Sequence, residues 1–362
     1  MRVEGIAPNL SPWQASLADE NDPPGANAGV LQETTMSDST RSMAARRHVL
    51  GLLAGMLLAG NAAWAAYPER PIRLIVPFSP GGGTDLIART LGAEMGKDLG
   101  KPIVVENKPG AGTMIGTDAV AKSPADGYTI LIASFAHAVN PSLQPRLPYS
   151  HETAFAPVIL IGAGPNVLVV RAESPYKTMA DLLAAAKANP GKLTYASQGI
   201  GTSAHLAGEM FSNLAKVELT HVPYKGAGPA ITDVLGGQVD MMFGTAAATS
   251  GYVESGRFRA LGVTSAKPSP SFEGVAPIGD TVPGYVVESW YGLYVPAGTP
   301  AEIVDRLNKA ARGAARSAEF REKVEKEGLG IRAGDPAELD AYVAAEEKRW
   351  RKVVRENHLK PN

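Results

Sequence analysis

Cysteine is absent from this chain of 362 residues. That excludes disulfides, a cysteine nucleophile and thiolate metal sites, without fixing the compartment. A surplus of one charge is absent too: 35 Lys and Arg stand against 36 Asp and Glu, a net of -1. A nucleic-acid surface or a polybasic membrane anchor is therefore not expected. The six histidines (His48, His137, His151, His205, His221 and His358) have no metal-ligand spacing such as H-E-x-x-H. No G-x-x-x-x-G-K-[ST] loop is present, so neither a metal nor a cofactor is expected. What the chain does have is 44% hydrophobic and 20% charged residues, with 39 Gly and 28 Pro. This is the composition of packed domains with many tight loops, and the length suits about two domains.

Hydrophobic runs of membrane length are also missing. The one continuous apolar run, Val49–Gly60, is about twelve residues, against roughly 20 for a membrane-spanning helix. It follows Arg46-Arg47 and precedes Ala63-Trp64-Ala65. A basic start, a short apolar stretch and an A-x-A site make a secretory signal peptide over 43–65. Residues 1–42 are polar and without period, so they are expected to be disordered or to lie upstream of a true start at Met36 or Met43. The mature protein is expected to be periplasmic and to begin near Ala66 or Tyr67. Residues 1–65 hold four basic and six acidic residues, so 31 against 30 remain, a net of +1.

From Tyr67 the chain alternates β-type runs with helical periods. Strands are expected at Ile72–Phe78, Pro102–Glu106, Tyr128–Ser134, Pro157–Ile161 and Asn166–Arg171, then at Leu193–Ser197, Glu218–Pro223, Val239–Phe243, Phe258–Thr264 and Trp290–Val295. Helices are expected at Thr84–Leu99, Thr113–Lys122, from Thr178 through Ala188, at Ser203–Ala215, Pro229–Leu235 and Thr245–Ser255, and beyond Pro300. This rhythm predicts an α/β fold of mostly parallel sheets in two lobes, with a ligand cleft where strand ends face each other. The lobes are expected at 66–169 and 170–290, with 291–362 returning to the first.

One pattern occurs twice in the same strand–loop–helix setting. Ser79-Pro80-Gly81-Gly82-Gly83-Thr84 and Ser197-Gln198-Gly199-Ile200-Gly201-Thr202 both read S-x-G-x-G-T. Glycines let the backbone approach a ligand, hydroxyls can donate, and the N–H groups that open a helix favour an anion. Such loops also serve simply as turns and N-caps. Asp85 is read as a capping residue. His205 is read as a brace or packing residue before a base. Gly201-Thr202-Ser203-Ala204-His205 lacks the last glycine of a nucleophile elbow. Trp290–Tyr294 reads as a core strand, with a cleft wall as the lesser reading.

Several longer stretches carry a resemblance. Tyr67–Arg89 (YPERPIRLIVPFSPGGGTDLIAR), Val104–Leu131, Lys187–Phe211 (KANPGKLTYASQGIGTSAHLAGEMF), His221–Phe243 (HVPYKGAGPAITDVLGGQVDMMF) and Trp290–Pro300 (WYGLYVPAGTP) resemble the solute-binding receptors of tripartite tricarboxylate transporters, the Bug family. The resemblance implies a type II periplasmic binding protein fold with two lobes, a ligand cleft and a hinge. It implies a receptor, not an enzyme, that captures a small carboxylate (a di- or tricarboxylate, an acidic amino acid or an aromatic acid). The receptor would work as a monomer and hand its ligand to membrane permease subunits. Docking on a sensor kinase is the alternative role. Carried onto this chain, the ligand residues are Ser79, Gly81, Gly82, Gly83, Thr84 and Asp85. Beside them stand Ser134, Phe135 and Ala136. The facing set is Ser197, Gly199, Gly201, Thr202, Ser203 and His205, with Gly244, Thr245 and Ala246 closing the far wall. The chain departs from the family at Ser150 and Ala154, where acidic residues are usual, and around Phe272–Thr281.

Overall fold

The computed structural model describes residues 67–326, 328–356 and 359. The expected signal peptide and N-terminal extension lie outside them. The first stretch runs β1 (Ile72–Val76), α1 (Gly83–Leu99), β2 (Ile103–Asn107), α2 (Met114–Ala121), β3 (Thr129–Ser134), α3 (Phe135–Leu143) and β4 (Phe155–Arg171). The second runs α4 (Met179–Ala188), β5 (Thr194–Ser197), α5 (Ser203–Ala215), β6 (Thr220–Pro223), α6 (Ala227–Leu235), β7 (Met241–Thr245), α7 (Ala246–Glu254) and β8 (Phe258–Val263). The chain closes with β9 (Glu288–Pro296), α8 (Ala301–Ala315), α9 (Ala318–Lys326), β10 (Gly330–Ile331) and α10 (Pro336–Glu356).

The strands follow the order β2-β1-β3-β9-β4-β7-β5-β6, with β8 and β10 pairing β4 off this path. The expectation of mostly parallel sheets needs correcting. β2-β1-β3 and β7-β5-β6 are parallel trios. Between them, β9 and β4 pair antiparallel with each other and with their neighbours. Each trio is built by helical crossovers, which require parallel strands, whereas β9 and β4 run back through the middle.

Strand β4 is the second correction. Gly162-Ala163-Gly164-Pro165 looks like a break between two strands, yet the chain stays extended through it. The small residues admit a close neighbour: a Cβ on Gly162 would stand 2.5 Å from the Gly330 carbonyl of β10. Pairing changes hands here. Pro165 is the last partner of β9, opposite Glu288, and Asn166 the first of β7, opposite Thr245.

α3 was not expected. Asn140-Pro141 resembles a helix stop, but Pro141 sits inside the helix. It removes the N–H that would reach the His137 carbonyl. Packing compensates: Phe135 meets Trp350 of α10 edge-on, with ring centres 4.7 Å apart. The other helices obey local rules. Thr178 and Asp181 form a reciprocal capping box at α4. α1 ends at Gly100 in the left-handed conformation.

Alternation along the trios builds the cores. Ile72, Leu74 and Val76 of β1 pack with Ile87, Leu91 and Met95 of α1 and with Leu307 and Phe320. Val167 and Val169 of β4 pack with Ile231, Val234, Met242 and Phe258. Among the described residues no helix is long and apolar enough to cross a membrane.

Candidate functional site

The two S-x-G-x-G-T loops leave the carboxyl ends of β1 and β5 and open α1 and α5. The β1 loop meets the opposite trio directly. Ser79 donates both its N–H (2.9 Å) and its hydroxyl (3.0 Å) to the Lys225 carbonyl. A Cβ on Gly226 would stand 2.9 Å from the Ser79 nitrogen. A Cβ on Gly83 would stand 2.9 Å from the Ala247 methyl and 3.1 Å from the Thr245 hydroxyl oxygen. The absent side chains are what let the backbones approach this closely. The amide of Gln198 donates to the Thr245 hydroxyl at 3.4 Å.

Beside the β5 loop lies a cavity of about 200 Å³, lined by Pro77–Phe78, Gly110–Thr113, Gln198–Ile200 and Pro223–Lys225. None of these residues is acidic, and Lys225 is their one cation. Only Gly199 of the expected ligand residues lines it. Thr245 and Ala246 line a smaller void with Ser289 and Tyr291. Gly81, Gly82 and Asp85 line a third space of about 290 Å³ beside Tyr252.

Several expected ligand side chains are committed elsewhere. Asp85 accepts from the Gly81 N–H (3.1 Å), Arg89 (3.0 Å) and Asn107 (2.9 Å). Burial raises its carboxyl pKa, but these donors together hold it below the ordinary value. It braces the loop and is matched by a cation, which removes the repulsion it would otherwise offer an anion. Ser197, fully buried, accepts from the Gly199 N–H (3.1 Å) and contacts His221 Nε2 (2.7 Å). Thr202 donates to the Gly199 carbonyl (2.6 Å) and caps α5 by accepting from the His205 N–H. His205 accepts from the Gly201 N–H at 3.2 Å, so it braces the loop. Phe135 turns to Trp350, and Ser134 and Ala136 line none of these three spaces. Gly244 and Ser203 are buried beside them.

Below the β5 loop the rings of Tyr195, His221 and His205 stack, with centres 4.8 and 4.4 Å apart. Burial pushes His205 down to about 3, with neighbouring His221 adding to the shift, and pushes His221 down to about 4. Both imidazoles are neutral. Ser197 and His221 do not make a nucleophile and base: the hydroxyl is sealed in its own loop, and His221 Nδ1 has no orienting partner.

Tyr291 is the residue that sequence reasoning underused. It is buried, and its hydroxyl makes no well-formed hydrogen bond, with only the Ser289, Thr245 and Thr84 hydroxyls near it. Burial raises its pKa, and the Ser289, Thr245 and Thr84 hydroxyls oppose that rise. Its position opposite Ser134 comes from the β3–β9 register, which a single sequence does not reveal. Asn140 was missed with α3. Its amide donates to the Gly112 carbonyl (2.9 Å), while its carbonyl oxygen is buried without a partner.

Solved structures place this architecture. The periplasmic binding protein BugD matches with a TM-score of 0.79 and 35% identity, over 81% of this chain and 99% of that one. A Rhodopseudomonas palustris protein, Rpa4515, solved with adipate, matches with a TM-score of 0.78 and 35% identity over 82% and 100%. MatC from the same organism, solved with malate, matches with a TM-score of 0.76 and 32% identity over 80% and 100%. The fold is therefore that of the two-lobed periplasmic binding proteins, a class of solute receptors and not of enzymes.

Sequence comparison is more specific. The profile described as "Tripartite tricarboxylate transporter family receptor" matches residues 87–359. Protein BugT of Bordetella pertussis is 38% identical over 297 residues, 81% of this chain and 91% of BugT. A protein from the tcbD-tcbE intergenic region of Pseudomonas sp. strain P51 is 40% identical over 321 residues, 88% and 96% of the two chains. This chain belongs to the tripartite tricarboxylate transporter receptor family.

Proposed function

We propose that the protein captures a small carboxylate in the periplasm, between the β1 and β5 loops, and delivers it to membrane permease subunits. The observation that carries this reading is the cavity of about 200 Å³ whose wall joins Phe78, Ile200 and two prolines to glycine backbone, the Gln198 amide and Lys225, with no carboxylate in it. Such a lining offers an anion donors without repulsion. The adipate and malate held by two similar structures support the same class. The ligand is held in that cavity through backbone N–H groups, Gln198 and Lys225, and closing adds the Ser79–Asp85 loop, Thr245 and Tyr291, which line two other spaces. Closing brings 66–169 with 291–362 against 170–290.

Calorimetry against adipate, malate, glutamate, benzoate, citrate and a neutral sugar tests the ligand class. One carboxylate is expected to bind with unit stoichiometry. Binding of the sugar with no response to any acid would overturn the proposal. Delivery is tested by transport into vesicles carrying the permease, which is expected to require this protein.

A further inference from the structure

A second cavity, of about 230 Å³, shares no lining residue with the cleft. It lies where α3, the loop before β4, β9 and α10 meet. Glu152, Asp340 and Glu347 line it, and no Lys or Arg does. Its inner wall is aromatic: the His137 ring stands 5.3 Å from that of Phe155 and 4.8 Å from that of Tyr294, centre to centre.

His137 is 4% exposed, lines this cavity, and its Nδ1 has no partner. Burial drives its basicity far down, and His151 adds to this. The ring is thus neutral and keeps an acceptor lone pair. His151 is tied to Glu347 through Nε2, and its own Nδ1 is unpartnered. Three carboxylates in the wall, aromatic faces within and an uncharged His137 ring form a setting that repels anions and attracts cations. Among the described residues no group of three or more His, Cys, Asp and Glu could hold a metal ion. The aromatic wall instead matches an alkyl body.

We propose that this cavity is a second binding site, for a small organic ammonium ion. The ammonium head sits between Asp340 and Glu347, and its carbon chain lies on the rings of His137, Phe155 and Tyr294. The site is independent of the carboxylate cleft.

The test titrates n-butylammonium chloride into the full chain at low ionic strength, read by calorimetry and by the His137 ring resonance. Saturable binding at one site is expected, with a shift of that resonance. Asp340→Asn combined with Glu347→Gln should weaken it roughly tenfold or more. Carboxylate binding in the cleft should be unchanged, which separates failure here from failure of the transport reading. Asp340 is exposed, so Asp340→Asn alone serves if the pair does not fold, with a smaller loss expected. Absence of saturation at millimolar butylammonium, equal affinity in the folded variants, or saturation by Mg²⁺ alone would each overturn the proposal.

Discussion

Ser79 donates twice to one acceptor, the carbonyl of Lys225, from its N–H and from its hydroxyl. The two residues belong to opposite strand trios, so these bonds exist only where the loops meet. Ser79→Ala keeps the N–H bond and removes the hydroxyl bond. A hydrogen bond of this kind contributes about 0.5–1.5 kcal/mol net. Carboxylate affinity should fall about two- to tenfold, and the urea midpoint should drop by no more than the loss of one such bond. Calorimetry and urea unfolding of the same preparation check both halves.

Tyr291→Phe should separate binding from folding in the opposite sense to a core substitution. The hydroxyl it removes is buried with no well-formed hydrogen bond, only the Ser289, Thr245 and Thr84 hydroxyls standing near it, so its loss costs the fold little and spares a desolvated group. The thermal midpoint is expected to hold or rise. Affinity for the carboxylate should fall roughly tenfold if a ligand oxygen satisfies that hydroxyl. Unchanged affinity would remove Tyr291 from the site.

Thr202→Ala should act on stability first. Its hydroxyl is spent on the Gly199 carbonyl and the α5 N-cap, and losing such a cap costs about 1 kcal/mol. Urea unfolding should show that loss without added ligand. A variant of unchanged stability but abolished binding would assign the hydroxyl to the ligand instead.

Acid should weaken the fold before any carboxylate titrates. His205 and His221 are neutral when folded, depressed by burial to about 3 and about 4 from an ordinary 6.5. Between those values the unfolded chain binds more protons, so stability rises with pH across the window. It is complete above about 6.5 and is lost as pH falls toward 4, by up to about 1.4 kcal/mol per group per pH unit. Buried His137 acts in the same direction. The urea midpoint measured from pH 7 to pH 5 should fall, and His205→Asn should flatten the slope.

Much of the fold is legible in sequence because it is local. α5 falls at Ser203–Ala215, the expected bounds, because Thr202 caps it and its apolar spacing is regular. The Thr178 cap is equally plain. What escaped is set by tertiary partners. Pro141 hides α3, which Trp350 holds in place from across the chain. The glycines of β4 read as a turn until β10 is seen lying on them. The site shows the same division. The paired loops are visible as a repeated pattern, but the direction of their hydroxyls is not. Ser197 meets His221, and Tyr291 comes opposite Ser134, only through strand register.

The chain passes between its strand trios twice, at Pro165–Asn166 and between β8 and β9. Thr264 fastens the two passages together: its N–H donates to the Asn166 carbonyl (2.9 Å), its hydroxyl oxygen accepts from the Asn166 N–H (2.7 Å), and its carbonyl accepts from the Val287 N–H (2.9 Å). All of this is sealed from water, Thr264 and Asn166 being fully buried. Two tethers knotted at one point cannot slide past each other. Under the proposed closing motion they leave the halves a single angle to change, so one distance marker across the cleft would read occupancy as a two-position signal.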